Sequence, residues 1–521
     1  MDCDVLIAGM GPVGLLLANL LGARGIRTIA CDPAPTTYDL PRAAVVDDEV
    51  LRIMQSVGLD AAVLGDAQVQ RSVSYVTGAG RAVEVLTPVT GALGHPPLVS
   101  IHQPSMERTL AAGLARFPDV EARWSTRVEG LDRRAEHVVA TLRPAAGGGE
   151  PATVQARWAV GCDGAASPTR GRLGIDFGGS TFAQRWLVVD ATVDRPLARV
   201  PHPYFVGDRE RPIVSLPMSP GRHRWEFMLH PGEPEAPMLD RAAIAARLEP
   251  WLDGERAEVE RAVVYTFHAR TAARWRAGRI LLAGDAAHVT PPFAGQGFSS
   301  GARDVANLAW KLDAVLRGAP ERLLDTYEEE RRPHVTAMQS LAVRWGGVVQ
   351  TTAPRRARVR DRIMDALDGS PPLRWAQGNV KPLPTYGAGA FAERPARFPP
   401  RRTVGALFPQ PAVGVAGGPD GLLDDVLPAG WVVLSCDPGA TSAWAGAGLS
   451  TLQLGRDLHD ADGVLRAWLV GHRAAWVLLR PDRFVFACGP TSAVPAALAA
   501  LRGTVGDTAS VARPVPSTKG G

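Results

Sequence analysis

Apolar residues follow three rhythms along this chain, and each rhythm predicts a different element. Residues 4–8, 26–31 and 279–283 are short, nearly unbroken apolar runs, the pattern of strands buried on both faces. Residues 13–24 and 303–316 carry apolar positions at helical spacing. Between roughly 176 and 269 the pattern turns to alternation, as at 186–190 and 224–228, which predicts an antiparallel sheet. Residues 346–400 are rich in Arg and Pro and read as a helix followed by an extended connector, including Lys381-Pro382-Leu383-Pro384 and Pro399-Pro400-Arg401-Arg402, with the charges on a solvated face. Strand-like runs return at 430–434, 475–479 and 483–487. The expected division is therefore 1–175 with 270–345 as one domain, 176–269 as an inserted sheet domain, 346–400 as connector and 401–521 as a C-terminal domain.

The chemistry sits in the loops that follow two of the buried runs. After the first comes Gly9-Met10-Gly11-Pro12-Val13-Gly14, then the helical stretch and the second strand, a β-α-β unit of the kind that binds dinucleotides. Gly9 permits a tight turn, Gly11 lets backbone approach a pyrophosphate, and Gly14 lets helix pack on strand. The helix N-terminus offers unpaired N–H groups and positive dipole to phosphate. Asp32 closes the second strand, where a carboxylate accepts from adenosine ribose hydroxyls and repels a 2′-phosphate, favouring FAD or NAD over NADP. After the run at 279–283 stand Gly284-Asp285-Ala286-Ala287-His288 and Pro291-Pro292-Phe293-Ala294-Gly295-Gln296-Gly297, entering the second helix. Asp285 repels phosphate, so its partners are hydroxyls, as on a ribityl chain, or backbone amides. His288 is expected to pack or hydrogen-bond and not to act in the chemistry. The two motifs, in this order, suggest the two ends of one FAD.

Composition narrows the remaining choices. With 521 residues, 46% hydrophobic and 21% charged, the chain suits an ordinary globular protein of two or three domains. Its net charge is +4, and only Lys311, Lys381 and Lys519 among 57 basic residues are lysines. No basic block with interleaved aromatics suggests nucleic acid. No apolar stretch suits a membrane span or a secretory leader, so a cytoplasmic location is expected. Cys3, Cys31, Cys162, Cys436 and Cys488 are scattered without CxxC or metal-ligand spacing, so reduced packed thiols and no metal site are expected.

Three further segments complete a resemblance. Pro41-Arg42-Ala43, Ile101-His102-Gln103-Pro104 and Gly161-Cys162-Asp163-Gly164-Ala165-Ala166-Ser167-Pro168-Thr169-Arg170 join the two glycine motifs in an order that resembles the FAD-dependent aromatic hydroxylases, the single-component flavoprotein monooxygenases typified by para-hydroxybenzoate hydroxylase. Arg224-Trp225-Glu226-Phe227, Phe267-His268-Ala269-Arg270 and the 292–297 loop resemble the 3-(3-hydroxyphenyl)propionate and polyketide hydroxylase group. Many members carry Asn where this chain has Ser299 or Ser300, which removes any side-chain contact assigned to that Asn. The resemblance implies an α/β plus α+β fold: a Rossmann-like FAD domain, an inserted antiparallel-sheet substrate domain and a C-terminal domain similar to the thioredoxin-like one of the phenol hydroxylase group, with a structural or homodimer-stabilising role.

It implies, too, tightly but non-covalently bound FAD, NAD(P)H as transient co-substrate, O2, and hydroxylation of a phenolic aromatic substrate, phenylpropanoid-type or an aromatic polyketide, through a flavin C4a-hydroperoxide. The absence of a second dinucleotide fingerprint agrees with transient nicotinamide binding. The implied cofactor residues are Gly9, Gly11, Pro12, Val13, Gly14, Asp32, Arg42, Gln103, Asp163, Gly284, Asp285, Pro292, Gly295, Gln296 and Gly297. Arg42 is a candidate for the nicotinamide phosphate as well. A base that takes the phenol proton is assigned to no residue; Tyr204, Tyr265 and His268 are candidates by region alone. Two alternatives stay open, a Baeyer–Villiger or epoxidising tailoring enzyme at the same FAD site, and a flavoprotein interaction module without turnover. A flavin halogenase needs a catalytic lysine early in the chain, and here no lysine precedes Lys311.

Overall fold

The apolar runs pair side by side. In the computed structural model, which describes residues 1–88, 91–368, 385–393, 403–415 and 420–506, Cys3–Ala8 lies parallel between Ala152–Gly161 and Thr28–Cys31. Val120–Arg123 and Ile280–Leu282 extend the parallel layer on either side. Every residue of Cys3–Ala8 except Asp4 is buried, because helices cover one face and the antiparallel pair Thr126–Arg133 and Val138–Pro144 closes the other. This double burial is why the strand shows no polar alternation.

The helices Pro12–Gly22 and Gly297–Leu316 pack against each other over this sheet. Glycines set how close they come. A Cβ on Gly301 would lie 2.6 Å from the Val13 side chain, and one on Gly14 would lie 2.0 Å from the Gly9 carbonyl oxygen. Asn19 of the first helix is fully buried and donates to the Leu110 carbonyl at 2.8 Å, which ties in the helix Gln103–Gly113.

A second sheet of eight strands stands beside the first. Its centre is the long antiparallel pair Phe177–Val193 and Ala257–Ala272, followed by Arg222–Met228, Ile213–Pro217 and Tyr204–Val206. Two strands from earlier in the chain, Val73–Val76 and Ala82–Leu86, complete one edge, and His288–Val289 the other. The sheet is therefore stitched to the cofactor-type layer from both ends. Its strand Arg222–Met228 is buried along nearly its whole length, on both faces. Trp225 and Phe227 point into one apolar cluster, while Met228 joins another with Trp186, Val214, Leu216 and Phe293.

Helices Asp325–Val349 and Pro354–Asp368 follow; the connector segments 381–384 and 399–402 lie outside the described residues. Near the C-terminus, Val432–Ser435 pairs parallel with Ser450–Gln453 and antiparallel with Trp476–Leu479, which pairs antiparallel with Val485–Gly489. Helices Pro438–Gly446 and Val494–Val505 pack on this four-stranded sheet. Trp431, Trp444, Trp476 and Phe486 belong to the same core as the helix Gly297–Leu316, with Trp310 and Trp431 edge to face at 5.7 Å. All five cysteines are free thiols.

Candidate active site

Two helix N-termini open on one cavity of about 1070 Å³ that runs between the two sheets. Neither is capped by a side chain, and neither first turn carries an acidic residue. Their amide donors and dipoles therefore favour an anionic or electron-rich ligand there. Gly9 holds φ +100°, a conformation that favours glycine, and its missing Cβ would collide with the Cys162 carbonyl oxygen at 2.6 Å. Nothing stands within 4 Å of a Cβ built on Gly11, so backbone at that point faces open space.

Gly9, Gly11, Pro12, Val13, Asp32, Arg42, Gln103, Asp163, Asp285, Pro292, Gly295, Gln296 and Gly297 all line the cavity. Gly14 and Gly284 do not: Gly14 serves helix–strand contact, and Gly284, at φ +61°, packs against Val13. Several polar groups expected to face a cofactor already hold the protein's own backbone. Asp32 accepts from the Met10 amide at 2.7 Å and the Ala34 amide at 2.8 Å, leaving lone pairs for ligand hydroxyls. Gln103 accepts from the Arg42 amide at 3.2 Å and from the Ala43 amide, while its amide nitrogen donates to Glu107 at 2.5 Å. Asp163 accepts from the Thr169 amide at 2.8 Å and from the Ser167 hydroxyl, fixing the short helix Pro168–Arg172. Gln296 is held at both ends, by Asp47 at 3.2 Å and Arg303 at 3.0 Å. Asp285 presents an exposed carboxylate to the cavity and has no hydrogen-bond partner among the described residues.

The segment around Arg42 is clamped from the sheet side. Arg224 donates to the Arg42 carbonyl at 2.7 Å and the Pro41 carbonyl at 3.2 Å, and Arg261 donates to the same Pro41 carbonyl. Arg224 is in turn held by Asp190 at 2.6 and 3.1 Å, a fork-to-fork pair in which both side chains are 4% exposed. Arg42 itself is exposed, stacks over Tyr38 at 4.4 Å and faces the cavity.

The three regional candidates for a base stand elsewhere. On the strand Tyr204–Val206 it is Phe205 that lines the cavity; Tyr204 points the opposite way, against His202. Tyr265 accepts from Arg261, and His268 pairs with Thr181 at 3.0 Å; neither lines the cavity. Alternation along a strand puts neighbours on opposite faces, so sequence region alone could not choose between them. His288 behaves as expected: it lies 2.6 Å from Asp304 and tilts against Trp275. Ser299 and Ser300 are fully buried behind the wall, and neither hydroxyl has a partner among the described residues.

Sequence reading missed Asp47, Arg224, Glu226, Phe205 and Trp345 as lining residues. Glu226 is 7% exposed. Burial pushes its carboxyl up to about 7, against the pull of Arg224 and helped by Asp190. The only signal available was a charged residue every second position in an otherwise apolar strand. Such a face usually meets solvent; here it meets an interior cavity.

Residues 2–342 match the FAD binding domain family, and residues 405–504 match the HcaD C-terminal domain. The chain belongs to the FAD-dependent aromatic hydroxylases. It is 38% identical over 526 residues to the 3-(3-hydroxy-phenyl)propionate/3-hydroxycinnamic acid hydroxylase of Klebsiella pneumoniae strain 342, covering 96% of this chain and 94% of that one. It is 37% identical to the enzyme of that description in Escherichia coli O8 strain IAI1, over 98% and 95% of the two chains. Among solved structures, the anhydrotetracycline hydroxylase OxyS from Streptomyces rimosus superposes with a TM-score of 0.77 at 26% identity, over 97% of this chain and 99% of that one. Aklavinone-11 hydroxylase in complex with FAD and aklavinone shares the fold, with a TM-score of 0.78 at 23% identity, over 97% and 99%. This hydroxylase is a mixed α/β flavoprotein monooxygenase, and no described helix is long and apolar enough to cross a membrane.

Proposed function

We propose that this hydroxylase adds one oxygen atom to the ring of a phenol bearing an acidic side chain, of the 3-(3-hydroxyphenyl)propionate type. The observation that carries the reading is one continuous cavity whose walls differ in kind. One end is glycine loop, helix N-termini and Asp32; the other is Val214, Leu216, Phe205, Phe293 and Trp345. The first suits the pyrophosphate and ribose of FAD, and the second suits an aromatic ring. The relatives at 37–38% identity over nearly the whole chain support the substrate class.

FAD, when bound and reduced by NAD(P)H, supplies the activation of O2. The chain's part is to hold and enclose. Gly11 and Val13 present backbone to the pyrophosphate, Asp32 receives the adenosine ribose, and Asp285 receives ribityl hydroxyls. Gly14 and Gly284 act through packing, Gln103 and Asp163 by fixing the loops that line the cavity. The 292–297 loop borders the flavin ring and excludes water there. Arg224 and Arg261 keep the Pro41 and Arg42 carbonyls in place, so that Arg42 faces the cofactor and the nicotinamide phosphate. The domain division we propose follows the hydrophobic rhythms, with strands Val73–Val76 and Ala82–Leu86 added to the substrate sheet. The C-terminal four-stranded sheet is thioredoxin-like in strand order, without vicinal cysteines, and serves as a brace. Free cysteines support a cytoplasmic setting.

An aromatic polyketide is the second reading. It is favoured by the likeness to the anhydrotetracycline hydroxylase OxyS over nearly the whole chain. The test is NAD(P)H oxidation by the FAD-loaded protein with a panel of phenolic acids and polycyclic phenols, following product mass and peroxide together. A phenolic acid that stimulates oxidation and gains one oxygen supports the first reading. A polycyclic phenol that does so while phenolic acids yield only peroxide supports the second. Failure of every phenol overturns both.

A further inference from the structure

We propose that Glu226 recognises the ring hydroxyl of the substrate and accepts its proton. The inference rests on the phenol-hydroxylating reading and names the group that reading leaves open.

The carboxylates lining the cavity are Asp32, Asp47, Asp163, Glu226 and Asp285. Asp32 and Asp163 accept from backbone amides, and Asp47 pairs with Arg303. Asp285 belongs to the loop beside the helix N-termini, at the cofactor end. Glu226 alone stands on the substrate sheet, and it has no hydrogen-bond partner among the described residues. Its strand neighbour Arg224 does not serve it: four of that guanidinium's five N–H groups go to Asp190, Pro41 and Arg42, and it makes no hydrogen bond to Glu226. A buried carboxyl without a donor is costly to hold and is normally explained by a ligand or a function. Directly across the ladder stands Val214, and Leu216, Phe205 and Trp345 complete an apolar wall. A flat ring fits such a wall with one polar contact to spare, and a phenol hydroxyl is a donor aimed at an acceptor.

The proton balance is simple. The substrate O–H bond breaks, an O–H bond forms on the Glu226 carboxylate, and the electron pair stays on the ring oxygen. That pair raises electron density at the ortho and para carbons, where oxygen is added. When the oxygenated ring regains aromaticity, the proton on the attacked carbon leaves to water. Glu226 returns its proton to the ring oxygen and ends the cycle ionised. The charged groups facing it are Arg224 on its own strand and Asp190 on the adjoining strand Phe177–Val193. With a carboxyl pushed up to about 7, proton acceptance is lost as pH falls through that value. A base poised near working pH is the efficient one.

The experiment compares wild type, Glu226→Gln and Glu226→Asp, all loaded with FAD, on 3-(3-hydroxyphenyl)propionate across a range of pH. Product formation and flavin content are measured together. The expected result is a wild-type acidic limb centred near pH 7. Glu226→Gln should lose that limb and about a hundredfold or more in product turnover at unchanged flavin content. Glu226→Asp, which keeps the carboxyl, should recover part of the rate. Product turnover in Glu226→Gln within about threefold of wild type, with the limb intact, would overturn the assignment while leaving the hydroxylase reading standing. So would equal loss of flavin and rate in both variants, which marks a structural role. A wild-type enzyme that hydroxylates no phenol overturns both.

Discussion

Gly14 shows how a single hydrogen can decide whether the site forms. Its Cβ would meet the Gly9 carbonyl oxygen at 2.0 Å, a backbone atom that cannot swing aside. Gly14→Ala should therefore push the helix off the strand, cost about 1–3 kcal/mol of stability and abolish flavin retention. Visible flavin absorbance per polypeptide after gel filtration checks this, and a fully yellow variant would contradict it. Such positions are legible in sequence because the constraint is local: loop, strand and helix lie within thirty-odd residues. Glu226 and Asp47 were not legible, for the opposite reason. Each becomes a cavity residue only through distant partners, Asp47 through Arg303 on the helix Gly297–Leu316. Gln103 and Asp163, expected as cofactor contacts, line the cavity, and their side chains are occupied by loop backbone and a helix start.

At the scale of elements, the second glycine motif is held from behind by a charged cluster. Asp304 accepts from the Gly284 amide at 3.1 Å, from His288 at 2.6 Å and from Arg331 at 2.9 Å, with Asp304 and Arg331 both fully buried. Burial alone would raise the Asp304 carboxyl, but His288 and Arg331 outweigh it and hold it below the usual range. Asp304→Asn leaves Arg331 without its ion partner and loosens Gly284 where the cavity loop begins. The expected cost is about 3–5 kcal/mol in denaturant unfolding, with faster flavin loss. A variant as stable as wild type would show that the cluster is dispensable. The strands read at 4–8, 26–31 and 279–283 and the helix read at 13–24 form where apolar rhythm put them, to within a few residues at their ends. The helix predicted at 303–316 begins six residues earlier, at Gly297, because a glycine-rich start hides helical periodicity.

Over the whole molecule, the C-terminal sheet is bolted to the cofactor layer by buried charge. Glu330, from the helix Asp325–Val349, lies 3.0 Å from Lys311 and 2.8 Å from Arg480, and Arg480 also reaches Asp482 at 2.5 Å. Burial would raise the Glu330 carboxyl, but Arg480 and Lys311 pull it down to about 2. Since the folded value lies below the ordinary 4.5, the stabilisation is present above that value and fades as pH falls toward about 2. Wild type should thus lose urea resistance between neutral and acid pH more steeply than Glu330→Gln, and parallel profiles would refute the role. No sequence rhythm announced this junction, because its members are single charged residues spread over three segments.

A cavity that carries both FAD and the phenol should pass oxygen from O2 to the ring. Isotopically heavy dioxygen tests it most directly, with FAD-loaded protein, NAD(P)H and 3-(3-hydroxyphenyl)propionate. The expected result is a ring-hydroxylated product carrying one heavy oxygen atom, formed in step with NAD(P)H consumed. Heavy oxygen recovered only as peroxide or water, with the phenol unchanged, would contradict it.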